Sequence, residues 1–249
     1  INEILADPSV GGDTACDATE PSAEGFDTNS DLCVEQEDEY IELYNMSDED
    51  IEIGGWSLWT KGEDQWFTFT TGTEIPAYSY VVVTADWIDG QDGETGTLNG
   101  STIFSADQGR VFDNDGDNVV LLDPDFNEYI QIVYTGEGAT ETQEIDQPTV
   151  SGYDGFPPNA ARLGAAENFG TTEDGVALVR KFAGDSVIVN HEDLDGKRGN
   201  PGDHYTAVSF RAVDIFTKDS YFLLPLVILL LITAILWRRL QPIKPYEQR

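Results

Sequence analysis

The sequence predicts a mainly β protein, a sandwich of short strands with long loop insertions, followed by one C-terminal transmembrane α-helix. Three observations carry that expectation. Short runs of β-branched and aromatic residues, punctuated by Gly, Pro, Asn and Asp, recur up to about residue 135, the spacing of a sandwich or barrel. No stretch shows the sustained 3.6-residue period of a long amphipathic helix. One late segment, Tyr221 to Trp237, is apolar and carries no charge.

The strand runs come in order. Ile1 to Leu5 is short and apolar; Tyr40 to Tyr44 (YIELY), Trp56 to Trp59 (WSLW) and Trp66 to Phe69 (WFTF) alternate; Tyr80 to Thr84 (YVVVT) is β-branched. Asn118 to Leu122 and Tyr129 to Tyr134 are joined across Asp123-Pro124-Asp125, a turn with Pro where its fixed φ fits. In YIELY, Ile41 and Leu43 face one way and Tyr40, Glu42 and Tyr44 the other, and the first pair is expected in the core. Gly54-Gly55 suits a tight entry into a strand on which Trp56 and Leu58 share a face. From about 136 to 173 the chain turns to Gly, Thr, Pro and acid, a long excursion that offers a lobe or contact surface. A last strand is expected at Val176 to Lys181, and Asn200-Pro201-Gly202-Asp203 closes the domain with a turn.

The expected organisation is an ectodomain over 1–203 with an insert at about 10–35, a stalk over 204–219, the membrane helix over 220–238 and a basic tail over 239–249. Val208 to Phe216 adds a strand or prolongs the helix. Seventeen uncharged residues rise about 25 Å as a helix, enough to cross a bilayer. Tyr221 and Trp237 stand where interfacial aromatics belong, and Arg238 with Arg239 places the C-terminus inside. Pro225 falls in the first helical turn, where its missing N–H is tolerated. The expected location is a cell membrane, or a viral or vesicle envelope, with lipid as one partner. An outside N-terminus ahead of a single late span requires an export signal, and its removal is expected to account for Ile1 in place of Met as well, which a trimmed chain would also explain. Some exported archaeal proteins carry Pro-Gly-Phe before such a helix, which is then cut away; Lys218-Asp219-Ser220 stands here, and the helix is expected to be retained.

Asp and Glu number 47 against 13 Lys and Arg. Only nine of those bases precede residue 221, against 46 of the acids, so the ectodomain carries a net charge of −37. Self-repulsion of that size opposes compaction in dilute buffer. At about 1 M salt the Debye length falls to roughly 3 Å and the repulsion is screened. The composition therefore reads as a halophile's surface, and the want of a basic patch excludes nucleic acid as a partner.

Cys16 and Cys33 are the two cysteines. An oxidising exterior favours a disulfide closing a loop of about 16 residues, worth about 3 kcal/mol in the chain-entropy picture. Asn45-Met46-Ser47 and Asn99-Gly100-Ser101 fit the N-glycosylation pattern. Asp113, Asp115 and Asp117 alternate as calcium-binding loops do, although Gly116 stands fourth rather than sixth and Pro124 takes the place of the closing Glu. A Gly, Asn and Asp hairpin turn on an acidic surface is the plainer reading. His191, Glu192, Asp193 and Asp195 form a second oxygen-rich group. Neither His191 nor His204 lies in a nucleophile or metal motif, and 47 acids nominate no particular catalytic pair. Arg110, Arg162 and Arg180 are expected to pair with carboxylates inside the fold.

Several elements, in order, resemble the lamin-tail domain, an immunoglobulin-like β-sandwich also found in exported bacterial and archaeal proteins. Ile1-Asn2-Glu3-Ile4 is similar to its first strand, and Asp38-Glu39-Tyr40-Ile41-Glu42-Leu43-Tyr44-Asn45 to its "(D/E)-W-I-E-L-Y-N" strand. Gly55-Trp56-Ser57-Leu58 resembles its "G-W-x-L" strand, and the run from Asp115 to Leu122 its "gd-x-v-x-L" hairpin. Ala177 to Arg180 with Gly199-Asn200-Pro201-Gly202 is similar to its closing strand and "T-P-G" end. The resemblance spans about residues 1–203, departs at the two inserts, and implies a binding or assembly module without catalytic residues. The expected function is thus a non-catalytic, membrane-anchored assembly protein docking on another envelope or membrane-complex component, as a homo- or hetero-oligomer. A calcium- or carbohydrate-binding module is the alternative and a surface hydrolase the third. No cofactor beyond that calcium is expected.

Overall fold

In a computed structural model the chain divides into two compact units, residues 1–204 and 205–249. The structure describes residues 1–10, 25–87, 95–137, 148 and 153–203, all in the first unit. The segment from Tyr221 to Trp237, Arg238, Arg239, the stalk, His204 and Cys16 lie outside the described residues. Among those described, no helix is long and apolar enough to cross a membrane.

The strands are β1 (Glu3–Leu5), β2 (Tyr40–Tyr44), β3 (Ile51–Glu52), β4 (Ser57–Thr60), β5 (Asp64–Thr68), β6 (Glu74–Ile75), β7 (Tyr80–Thr84), β8 (Thr95–Leu98) and β9 (Ser101–Ser105). They continue with β10 (Gly116–Asp123), β11 (Glu128–Thr135), β12 (Ala161–Arg162), β13 (Glu167–Thr171), β14 (Leu178–Arg180) and β15 (Ile188–Asn190), before one short helix, α1 (His191–Asp195). One sheet runs β15-β14-β1-β2-β7-β9-β8; the other runs β12-β11-β10-β4-β5, with β13 also on β11; β3 and β6 form a ribbon. Most neighbours are antiparallel. Parallel pairs occur between β7 and β9 and where β12 and β13 meet β11.

The core between the sheets is built by alternation. From the first sheet come Ile4, Ile41, Leu43, Val81 and Val83; from the second come Leu58, Val119, Leu121, Ile132 and Tyr134. Ile41 and Leu43 are the inward pair expected, and Trp56 packs against the same cluster as Leu58. Both sheets are also covered on their outer faces, which explains the unbroken apolar runs. Val120 and Leu122 point outward from β10 into a second cluster with Trp59, Tyr129, Tyr153 and Phe156. Phe156 meets Trp59, Tyr129 and Tyr153 at ring-centroid distances of 5.1, 5.4 and 6.0 Å, edge to face, the geometry that ring quadrupoles favour. On the other sheet Val82 and Ile103 join Leu5, Tyr40 and Ala177, with Phe26, Trp87 and Leu98 packed over them.

The excursion from 136 onward is therefore partly structure. It supplies the cover around Tyr153 and Phe156 and returns as β12 and β13, both parallel to β11. The hairpin β8–β9, the strand β15 and helix α1 also go beyond the expected elements. Asn99-Gly100 makes the β8–β9 turn with φ of 51° and 93°, the left-handed pair a two-residue hairpin needs. Asn200 to Asp203 turns as expected, with Asp203 N–H donating to Asn200 O at 3.0 Å.

Candidate interaction surface and its buried carboxylates

The run from Asp38 to Asn45 is the hub of the fold. Asp38, Glu39, Tyr40 and Glu42 are all buried, although three carry acid and lie in a protein whose acids the composition assigns to the surface. Each holds a different segment. Asp38 Oδ1 accepts from Thr28 N–H at 2.7 Å and Asn29 N–H at 3.2 Å, and its Oδ2 from Glu35 N–H at 3.1 Å, which folds the end of the insert onto β2. Glu39 Oε2 accepts from Val111 N–H at 2.6 Å and Phe112 N–H at 2.8 Å, tying β2 to the chain entering β10. Tyr40 donates its hydroxyl to Glu3 Oε1 at 2.5 Å. Glu42 Oε1 accepts from Asn2 Nδ2 at 2.6 Å and its Oε2 from Gly202 N–H at 2.7 Å. The closing Gly-Asn-Pro-Gly segment is thereby clasped to the outer face of the first sheet, where Asn200 N–H also donates to Glu3 Oε1 at 3.3 Å. A Cβ at Gly199 would lie 2.6 Å from the Tyr40 hydroxyl, so only glycine allows this approach.

Burial raises the pKa of these acids. Desolvation pushes Asp38 and Asp117 each up to about 7, against the backbone N–H donors that favour their charged forms. Glu39 is raised well above the usual range by burial. Glu42 is raised likewise, by burial first and then by Glu3, its register partner across β1 and β2. For a carboxyl raised in the fold, the stabilising contribution is complete below the unfolded value and is lost as pH climbs through the folded one. Glu167 goes the other way, lowered by its hydrogen bond from Arg180. We expect the thermal midpoint, measured at constant molar salt, to rise as pH falls from about 8 to about 5, with Asp117→Asn flattening the change near pH 7. A midpoint that falls over that interval would contradict the burial of these acids.

The expected metal-binding residues do not converge. Asp117 is buried and its Oδ1 accepts from Lys61 N–H at 3.0 Å and Asn118 N–H at 2.6 Å. Asp113 Oδ1 accepts from Asp115 N–H at 3.0 Å, and Asp115 is exposed. One other set of side chains, Asp31, Cys33 and Glu35, brings its ligand atoms together among the described residues. Cys33 is disulfide-bonded, so its sulfur is no thiolate; Cys16, its expected partner, lies outside the described residues. Asp27, Asn29 and Asp31 alternate as well, and each side chain caps a nearby backbone N–H in that loop. The group around His191 brings no set of ligand atoms together among the described side chains. His191 is fully buried, its Nε2 2.6 Å from Asn200 Oδ1 and its Nδ1 3.1 Å from Lys197 O, while Glu192 pairs with Arg198 at 3.5 Å.

Asn45 is 1% exposed. Its Nδ2 donates to Glu49 O, Ile75 O and Pro76 O at 2.7, 2.9 and 3.1 Å, and its Oδ1 accepts from Ser47 N–H at 2.9 Å and Ser47 Oγ at 2.7 Å. A glycan on that nitrogen has no room in the folded domain, so Asn45 is a structural knot. Asn99 is exposed at a hairpin turn, with Nδ2 donating to Pro201 O at 3.0 Å. Arg180 meets a carboxylate: Nη1 and Nη2 fork onto Glu167 at 2.7 and 2.5 Å, with Phe169 beneath at 5.2 Å, joining β14 to β13. Arg162 donates to Gln131 Oε1 at 2.8 Å, and Arg110 is exposed.

What remains on the surface is acid with a few large apolar side chains, among them Leu32, Met46, Tyr78 and Phe126. Two packed sheets of this kind are the architecture of an immunoglobulin-like domain, and among the described residues the buried carboxylates are spent on backbone donors. The family model for the lamin tail domain matches residues 1–136, and the chain belongs to that family. The match ends with β11, short of the closing strand and turn near residue 203 that the sequence resemblance takes in. No curated protein sequence matches the chain.

Proposed function

We propose that the chain is a non-catalytic, membrane-anchored surface protein of a salt-loving microbe, whose sandwich docks on another envelope or membrane-complex component. One observation carries the non-catalytic reading: the described residues with perturbed acid chemistry are each consumed in holding the fold. Asp38, Glu39, Glu42 and Asp117 grip backbone N–H groups, and His191 has both ring nitrogens engaged behind the surface. A catalytic carboxyl needs access to substrate, and these have none. The anchor reading is supported by the uncharged run from Tyr221 to Trp237 followed by Arg238 and Arg239, and the habitat by the excess of 47 acids over 13 bases.

Extraction of native membranes in mild detergent and molar salt, followed by affinity capture of the full chain, tests the docking. The expected outcome is a stoichiometric protein partner that survives washing. A protein emerging alone and monodisperse at every detergent strength tried sinks the assembly role.

A further inference from the structure

We propose that two copies of this chain pair through the outer edge of β8, strand against strand, so that the first sheet continues from one copy into the other. Among the described residues β8 pairs with β9 alone and ends that sheet. Register fixes which of its backbone groups are left over. The two-residue turn at Asn99-Gly100 makes Leu98 and Ser101 the hydrogen-bonded pair beside the loop, and Gly96 with Ile103 the next. Thr95 and Thr97 therefore aim their N–H and C=O groups away from β9, and both residues are exposed. Gly96 and Leu98 turn to the outer-face cluster: a Cβ at Gly96 would lie 2.9 Å from Trp87 Nε1, and Leu98 packs over the cluster that holds Ile103. The hairpin is fixed at its turn, with Asn99 Nδ2 donating to Pro201 O at 3.0 Å and Ser101 Oγ to Gly202 O at 2.7 Å. The edge is thus offered already ordered.

A free edge invites another strand, and the other margins of the sandwich are guarded against it. β5 begins with Asp64, whose Oδ1 accepts from Asp154 N–H at 2.5 Å, and its pairing with β4 slips at Leu58/Trp59. The opposite margin of that sheet carries Arg162 on β12 and Glu167 on β13. β15 runs straight into α1, and its Asn190 donates to Glu173 Oε1 at 2.5 Å. β8 has no charge, no proline and no bulge.

Charge selects the occupant. Each copy carries 47 acids against 13 bases, yet the stretch from Thr95 to Ala106 holds no charged residue. Two copies meeting along β8 set no carboxylate of one strand opposite a carboxylate of the other, the arrangement that destabilises cross-strand pairs. The strand is also complementary to itself. About a two-fold axis at Gly96, Thr95 of one copy faces Thr97 of the other, and each such pair exchanges two backbone hydrogen bonds and matches threonine with threonine. At about 1 M salt the screening length of about 3 Å removes both the general repulsion between copies and the pull on a basic partner. A contact this short is reversible and depends on concentration. Pairing through β8 needs no membrane anchor, so it stands or falls apart from the function proposed above.

Analytical ultracentrifugation of the full chain in molar salt and mild detergent, over a concentration series, is expected to show passage from monomer to dimer. Thr97→Pro removes a donor that β9 does not use, and should weaken the dimer about tenfold or more with the thermal midpoint unchanged. Thr97→Val keeps the N–H and should associate as the wild type does. Hydrogen exchange read at single residues needs no substitution: the Thr95 and Thr97 amides should be protected at high concentration and released on dilution, with Gly96 protected in both. A chain that stays monomeric up to about 0.1 mM overturns the pairing, as does a dimer that Thr97→Pro leaves equally tight or in which Thr95 and Thr97 remain unprotected. Protection of these two amides that appears only when a different envelope protein is added gives the edge to that protein and overturns it too.

Discussion

Replacing Glu39 by alanine is expected to destabilise the sandwich by about 3–5 kcal/mol, because it strands buried donors as well as opening a cavity. The N–H groups of Val111 and Phe112 both end on Glu39 Oε2, and both residues are buried. Neither N–H lies at the surface, so no bulk solvent replaces the lost acceptor directly. Glu39→Gln keeps an oxygen of the same reach and a similar volume, and burial already favours the uncharged carboxyl. Its cost should be about 1 kcal/mol or less. Chemical denaturation in molar salt measures both. If the two variants lose the same amount, the backbone of Val111 and Phe112 is not what Glu39 serves.

Asn45→Ala should follow with a loss of about 2–4 kcal/mol, since one side chain closes two loops at the end of β2. Three carbonyls, those of Glu49, Ile75 and Pro76, surround its amide nitrogen. Asn45→Asp should be worse than alanine. It sets a carboxylate against three carbonyl oxygens, where alanine leaves only a gap. The same denaturation series reads the order, and an aspartate variant as stable as wild type would contradict the amide assignment. Intact-mass analysis should also find Asn45 without sugar, since the nitrogen a glycan needs is buried and occupied.

Much of the fold was legible because burial follows the two-residue period. Ile41 and Leu43, Val119 and Leu121, and Trp56 with Leu58 all take the inward positions that alternation assigns. The double cover was not legible. A run such as Asn118 to Leu122 signals burial on both faces but does not say what lies over the outer one, and Tyr153 and Phe156 come from a stretch read as loop. β13 escaped notice because Glu167-Asn168-Phe169-Gly170-Thr171 has one apolar residue, which a strand added at a sheet margin tolerates. The β8–β9 hairpin escaped similarly, its Asn99-Gly100 turn being the one signal that pointed to it.

The site was read less well, for an electrostatic reason. In a chain with 47 acids each carboxylate has the same appearance in sequence, so Asp38, Glu39 and Glu42 passed as solvated charge. Their spacing within the Asp38 to Asn45 motif was the available signal, since the family resemblance fell on those positions. Asp113, Asp115 and Asp117 show the converse. Alternation groups them in the sequence, while the start of β10 at Gly116 turns Asp117 into the sheet and leaves Asp115 in solvent.

Protease treatment of intact cells or sealed native vesicles, followed by alkaline carbonate washing, measures most directly whether seventeen uncharged residues hold this acidic sandwich on a membrane. A membrane-anchored ectodomain predicts a released soluble fragment ending in the stalk and a retained piece from about Tyr221 to Arg249 that resists the wash. A full-length chain that stays soluble without detergent, or that the protease leaves whole on intact cells, would contradict it.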